Sequence, residues 1–379
     1  MWPEAVLLAE PTKWLMELDA RGPSGALPEY PWPAVALLDL PLRLEVPTVL
    51  HYYAIIVGFM LAVDALFAWL LWRGAGARMS RGLWLWLAVF PAIGPLMVTR
   101  YDIVPAALAG SALLALAAAR PAAAGALASL GAGLKLWPAA GFAALLVPGE
   151  RKSRAWVLAG LFSLLVALAL ASAAAAGWSR LWSPFSLQGK RGLQLEALGA
   201  LPLLWARYLS LDSGWTVRQE ELLCKCHELY GPGVDVALQL TFPALLIAAA
   251  FVAILHLRAF AAPAAARTAA VAALLTALSL VAWLVTARVF SPQYMIWLAA
   301  PLAVLGTLPG APLARLDLAF VAAAALLTHL IYPLGYEAVL VERHPLQPIF
   351  LVIATLRDAL VVALGVRLAM QTWRLTRRA

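Results

Sequence analysis

WSRLWSPFSLQGKRGLQLEALGALPLLWARY, Trp178 to Tyr208, is the longest interruption in an otherwise apolar chain, and it is semi-polar rather than solvated. A basic cluster (Arg180, Lys190, Arg191), an amide (Gln194) and a carboxylate (Glu196) stand there among Trp, Phe and Leu. A loop that only had to leave a membrane would be short and rich in Gly, Ser and Asn. This stretch reads instead as a segment lying along a membrane surface, its rings and leucines dipped in and its charges facing something. The plainer alternative is an interfacial helix that merely connects two spans.

Around that stretch, composition narrows the choice. The chain of 379 residues is 64% hydrophobic and 13% charged, too little polar surface for a soluble globule of this size. Long apolar runs recur along nearly its whole length, so the expected fold is all-α, a polytopic transmembrane helical bundle with amphipathic loops on one face. The net charge of +8 sits in short loops between apolar runs, which is a topology signal; no nucleic-acid motif accompanies it. Cys224 and Cys226, beside His227, have no second ligand pair elsewhere, so a local disulfide or two free thiols is expected rather than zinc.

Residues 1–48 are amphipathic and acidic, with no basic and apolar leader pattern at the start, and form the first outer segment. Within them Pro28, Pro31 and Pro33 stiffen the entry to a short apolar segment near Ala34–Pro41. Spans are expected near 49–72, 83–98, 102–119, 155–177, 236–256, 268–286, 290–308, 316–334 and 346–372. Residues 121–148 are apolar but broken by Gly131, Gly133, Lys135 and Pro138, and read as two short helices meeting at LGAGLKLWP. Threading the chain through these segments, about 11 embedded helices in all, puts the basic loops at 73–81, 151–154, 258–267 and 315 and the basic tail on one side. By the positive-inside rule that side is the cytoplasm. Residues 1–48, the large loop 178–235, residues 335–345, Arg100-Tyr101-Asp102 and the stretch from Arg288 to Tyr294 then share the outer face.

On that face the sequence has no Ser-His-Asp spacing, no Gly-rich phosphate loop and no metal motif. What remains is carboxylates with Arg and Lys in an aromatic-rich setting. Those parts suit a displacement, in which a carboxylate takes a proton from an attacking hydroxyl while cations hold a leaving phosphate. In an outer leaflet the natural leaving group is a lipid phosphate. Glu10 and Glu29 are the membrane-proximal acids, each also readable as a solvated surface acid. Arg100 and Asp102, at the end of a span, are also readable as a local salt bridge. Lys135 lies within an apolar run, where a lysine is costly unless paired or wet; its plainer reading is snorkelling beside Trp137. His344, in an outer loop, is a base or simply solvated. Asp64 and the pair Arg357-Asp358 are expected to pair between helices, away from the outer face.

Four stretches occur in a telling order: PEYPWPAV from Pro28, RYDIVPA from Arg100 followed by LGAGLKLWPA from Leu130, KRGLQLEALGALPLL from Lys190, and RVFSPQYMIWLAAPLAVL from Arg288. LIYPLGYEAVL and LRDAL complete the set near the end of the chain. Together they resemble the polyprenol-phosphate-dependent membrane mannosyltransferases of glycosyltransferase family 87, which have the GT-C fold. The resemblance covers most of residues 28–365; single motifs are weak, while the ordered set is fairly specific to the family and not to a substrate.

The resemblance implies a single integral membrane domain over 1–379 and a hexosyltransferase of the cell membrane, with its active face outside the cytoplasm. Such an enzyme moves a hexose, mannose above all, from a polyprenyl-phosphate donor to a lipid or cell-envelope glycan acceptor, with no cofactor beyond that lipid-linked donor. The general base would be Glu10 or Glu29; Arg191, Lys135 and Arg100 would hold the donor phosphate. Asp102, Gln194, Glu196, Gln293, Tyr294 and His344 would orient sugar, acceptor or neighbouring side chains. Two departures stand out. Family members begin with a transmembrane helix that delivers the first outer loop, whereas this chain starts inside that loop. Their catalytic Asp, in a pattern like Asp-x-x-x-Tyr, corresponds here to Glu10 and Trp14 in AEPTKWLMEL. A secondary transporter working through Lys135, Asp64 and the broken helix, or an inactive GT-C-like scaffold, is the rival expectation.

Overall fold

The computed structural model describes residues 3–44, 48–209, 214–219, 226–311, 313–341 and 344–377, with side chains from residue 11 onward except that of residue 188. Among the described residues six helices are long and apolar enough to cross a membrane: Val49–Gly74, Arg151–Ala176, Val234–Ala261, Ala269–Thr286, Arg315–Leu334 and Gln347–Leu375. In chain order the helices used below are α1 (Pro3–Gly25), α2 (Trp32–Asp39), α3 (Val49–Gly74), α4 (Arg81–Ile93), α5 (Ile103–Ala117), α6 (Pro121–Leu134) and α7 (Arg151–Ala176). They continue with α8 (Ser179–Gln188), α9 (Leu201–Tyr208), α10 (Val234–Ala261), α11 (Ala269–Thr286), α12 (Tyr294–Thr307), α13 (Arg315–His329) and α14 (Gln347–Leu375).

Helix starts follow local chemistry. Thr48, Ser80 and Thr268 each accept the backbone N–H three residues on, which satisfies one orphan donor of α3, α4 and α11. The long helices turn large apolar side chains outward, Leu66, Phe162, Phe242, Ile247 and Val366 among them, as lipid-facing surfaces do. By contrast every residue of α12 but Gly306 is buried, so α12 is the centre of the bundle.

Four apolar helices are short: α4, α5, α6 and α12 have 13, 15, 14 and 14 residues. At 1.5 Å per residue they rise only about 20–22 Å, against about 30 Å for the hydrocarbon core of a bilayer. The spans read from sequence at 83–98, 102–119 and 290–308 are therefore shorter than expected. The cause is what stops them: Gly94 in a left-handed conformation (φ +67°) ends α4, and Arg100-Tyr101-Asp102 and Ser291-Pro292-Gln293 lie outside helices. The break at LGAGLKLWP is as expected: α6 stops at Lys135, whose backbone is extended, and a turn at Trp137–Gly141 leads to four helical residues at Phe142–Leu145. α6 and α7 pack backbone to backbone, since a Cβ added at Gly125 or Gly160 would meet the main chain of Val157 or Ala122.

The two ends of the bundle differ. One end carries basic side chains that touch one another's helices: Arg81 donates to the Leu313 carbonyl (3.0 Å), Arg154 lies over Phe260 and Arg258 over Trp373. The other carries α1, α2, α8 and α9. A small sheet there departs from the all-α expectation. Its order is β1 (Leu193–Gln194), β3 (His227–Tyr230), β2 (Thr216–Gln219), antiparallel throughout, with Gln194 opposite Glu228. Cys226, just before β3, is disulfide-bonded, and Cys224 lies outside the described residues.

Candidate functional site

The short helices all stop at the loop-bearing end, and their ends meet. Asp102 precedes α5, Lys135 follows α6 and Trp297 lies in the first turn of α12. Lys135 Nζ donates to Asp102 Oδ1 at 2.6 Å and Trp297 Nε1 donates to the same oxygen at 2.7 Å. Asp102 is 1% exposed. The ammonium lies 4.8 Å from the Tyr101 ring centroid, 5.3 Å from Trp297 and 6.0 Å from Tyr30, an aromatic box for a cation. Trp297 in turn stacks with Tyr294 (3.8 Å), Trp137 (5.0 Å) and Trp283 (5.4 Å). A buried pair offsets its desolvation cost only with good geometry and extra hydrogen bonds, which the Trp297 indole supplies. Lys135 is turned inward and paired, and snorkelling does not describe it.

The first segment caps this floor. α1 breaks at Gly22 (φ +62°), and Leu27 takes a left-handed conformation (φ +49°) that a leucine rarely adopts. Three groups hold it there. The Leu27 N–H donates to Glu17 Oε2 (3.0 Å), Arg180 Nη2 donates to the carbonyls of Ala26 (2.7 Å) and Leu27 (2.8 Å), and Ser183 Oγ donates to that of Pro28 (2.8 Å). The result sets Glu29, buried, against Lys13 at 2.7 Å, and Tyr30 edge-on to Tyr101 at 5.2 Å. Arg180 thus serves the backbone of the cap rather than a ligand. It belongs to α8, whose other face exposes Trp182 and Phe185 in the manner of an interfacial helix. Glu10 lies on α1, one turn before Trp14, and its side chain is outside the described residues.

The third wall is the stretch from Gly189 to Ala197. Arg288 Nη1 donates to the Arg191 carbonyl (3.1 Å), and the Gln194 N–H donates to the Arg288 carbonyl (3.0 Å). Gly192 donates its N–H to Glu228 Oε1 (2.8 Å), and a Cβ at this position would collide with that carboxylate. The glycine therefore makes room for the protein's own Glu228. The Arg191 guanidinium itself has no salt bridge among the described residues. The charges of Arg191, Arg100 and Asp102 all reach Tyr294.

Glu196 lies deeper, 4% exposed. Burial pushes its carboxyl up to about 8, against the opposing pull of Arg357 and Arg100, so at neutral pH it is largely a neutral acid able to donate a hydrogen bond. Its Oε2, like Gln194 Oε1, has no hydrogen-bond partner among the described residues. Arg357 was expected to lie away from this face; instead it reaches into it, with Nη1 3.9 Å from Glu196 Oε2 and its guanidinium 4.2 Å from the Phe290 ring. Asp64 meets the simpler expectation and accepts Trp86 Nε1 from the neighbouring helix at 2.8 Å.

The arrangement brings Arg100, Asp102, Lys135, Arg191, Glu196 and Tyr294 to one end of the short helices, with Gln194 on the wall and Glu29 in the cap. Gln293 is buried just before α12. His344 is used locally: its Nδ1 accepts the Leu346 N–H at 3.2 Å in the turn before α14. Glu342 and Arg343, its sequence neighbours, lie outside the described residues. Lys13, Arg288, Trp297 and Arg357 belong to this region and were not among the sequence candidates. Trp297 and Arg288 stood within a quoted motif and Arg357 within LRDAL, but nothing local in the sequence shows what they touch. Chemically the region offers carboxylates that accept or donate protons, cations for an anion, and stacked rings for an apolar or sugar face. No family model, no curated protein and no solved structure matches this chain.

Proposed function

We propose that the protein is a membrane hexosyltransferase. It moves a sugar, mannose before others, from a polyprenyl phosphate to a hydroxyl of a lipid or cell-envelope glycan. The loop-bearing end faces outside the cytoplasm in this reading, because the basic end follows the positive-inside rule. The observation that carries the reading is the buried Asp102-Lys135 pair in its aromatic box, with Arg100 and Arg191 near enough to act on the adjoining Tyr294. A dry, preorganised set of cations beside carboxylates stabilises a phosphate as its charge develops.

In the transfer, the acceptor oxygen bonds to the sugar's anomeric carbon while the bond from that carbon to the phosphate oxygen breaks. The leaving polyprenyl phosphate keeps the electron pair and meets Arg191, Arg100 and Lys135. The acceptor's proton passes to a carboxylate of the capping segment, Glu29 or Glu10. Glu196, carrying a proton at neutral pH, donates to a sugar or phosphate oxygen, and Gln194 and Gln293 orient hydroxyls.

Arg191 gives the sharpest test. A guanidinium grips two phosphate oxygens at once and an ammonium does not. Transfer from radiolabelled polyprenyl-phosphate-mannose is measured in membranes carrying Arg191→Lys or Arg191→Ala at equal protein level. Both lose transfer by about tenfold or more if the guanidinium holds the phosphate. Activity restored by Lys where Ala removes it would make this loop a headgroup anchor.

A further inference from the structure

On the flank of the bundle, α10, α11 and α14 leave a slot of about 490 Å³ between them. It exists because small residues line its depth: Ala248, Ala282, Gly365 and Ala369. A Cβ at Gly365 would already press on Val281. The rim is apolar and open to the flank of the bundle, where Phe251, Val366 and Met370 are exposed. All three helices are long and apolar enough to cross a membrane, so the slot lies within the thickness of a bilayer and lipid is what reaches it.

One end of the slot is different. Arg374 and Arg377, at the close of α14, are its charged lining residues, and neither has a salt bridge among the described residues. Between them and the apolar part lies Trp373, whose ring is covered by the Arg258 guanidinium at 3.6 Å. An apolar channel the size of a single-ligand cavity, closed at one end by two cations with no salt bridge among the described residues, matches an amphiphile with one chain and an anionic head.

We propose that this slot binds an anionic glycerophospholipid from the leaflet at the basic end, with one acyl chain between α10, α11 and α14 and its phosphate on Arg374 and Arg377. A chain leaving the bilayer for an apolar slot gains little hydrophobic free energy, so the head decides which lipid stays. Each Arg near the surface favours an anionic head by about fivefold, the pair by roughly 25-fold. A transmembrane helix from a second copy would need a broad ridge and would leave the two cations without a partner.

The test uses the full chain, purified in detergent, stripped of lipid and examined by native mass spectrometry. Dioleoylphosphatidylglycerol, dioleoylphosphatidylcholine and undecaprenyl phosphate are titrated separately and in competition. Phosphatidylglycerol is expected to bind one to one, on the order of tenfold or more in preference to phosphatidylcholine. Arg374→Gln with Arg377→Gln brings it down to the phosphatidylcholine level. Val366→Trp, at an exposed rim position, blocks the chain while leaving both arginines. Equal binding of the two phospholipids by the wild-type chain overturns the proposal, and so does a preference that survives the double substitution. Undecaprenyl phosphate displacing phosphatidylglycerol at equal concentration overturns it too, and would assign the slot to an isoprenoid. The wild-type comparison needs no variant, so misfolding of either variant cannot shelter the idea.

Discussion

Arg357 joins the last helix to the loop-bearing end: its Nη2 donates to the carbonyl of Glu196 at 2.8 Å while its Nε donates to the adjacent Asp358 at 2.6 Å. One guanidinium thus fixes a loop main chain and neutralises a buried carboxylate. Arg357→Met leaves Asp358 buried and alone, a loss on the order of 3–5 kcal/mol for a broken buried pair. Arg357→Met with Asp358→Leu removes both charges and is expected to recover most of the melting temperature in detergent. Equal melting temperatures for wild type and Arg357→Met would show that the pair bears no load.

Lys135 and Asp102 separate stability from transfer. Lys135→Met strands the Asp102 carboxylate with Trp297 alone, so both melting temperature and transfer should fall, transfer by about tenfold or more. Adding Asp102→Asn restores melting and not transfer if the ammonium meets the donor phosphate. Recovery of both in the double variant reduces the pair to a structural clasp.

Glu196 gives the pH dependence. In the folded chain its carboxyl titrates near 8 rather than 4.5, because burial outweighs Arg357. Between those two values the folded state keeps a proton that the unfolded state has released, so stability falls as pH rises through that window and levels off above it. Glu196→Gln, isosteric and always neutral, lacks this slope. Melting curves from acid to mildly alkaline buffer should show the variant overtaking the wild type as pH climbs toward 8. Parallel curves would show that Glu196 is ionised in place.

Gly192→Ala tests what the glycine is for. Its Cβ would collide with the Glu228 carboxylate, which also accepts Tyr230 Oη at 3.0 Å. The overpacking costs about 1–3 kcal/mol. Gly192→Ala with Glu228→Ala should regain that loss, which a glycine reserved for a ligand would not allow.

Orientation is checked by labelling. Cysteine placed singly at Ser186 should react with an impermeant maleimide in intact cells, and at Ser153 only after permeabilisation. Labelling at Ser153 from outside would invert the bundle and put the candidate site on the cytoplasmic side.

The parts of the fold legible in the sequence are those with local causes. Runs of apolar residues foretell α3, α7, α10, α11 and α14, and Gly131, Gly133 and Pro138 foretell the break at Lys135. The site was legible as residue types on one face, and its pairing was not. Lys135 meets Asp102 across 33 residues, Arg357 meets Glu196 across 161 and Trp297 meets Asp102 across 195. No periodicity reports such separations. The early end of α4 and the late start of α12 were also hidden, because apolar composition continues past both while backbone geometry does not. The Gly192 contact was hidden in the same way, because Glu228 lies 36 residues on.

The short interior helices also have an electrical consequence. A membrane potential falls across the low-dielectric layer alone. Where water fills the space above α5, α6 and α12, that layer is about 21 Å deep instead of 30 Å. The same voltage then drops over about two-thirds of the distance, and the field along these helices is roughly 1.4 times steeper than in the surrounding bilayer. Asp102 and Lys135 lie at the top of that gradient, so an anion arriving beside them crosses almost none of it. Binding there is expected to be nearly independent of voltage.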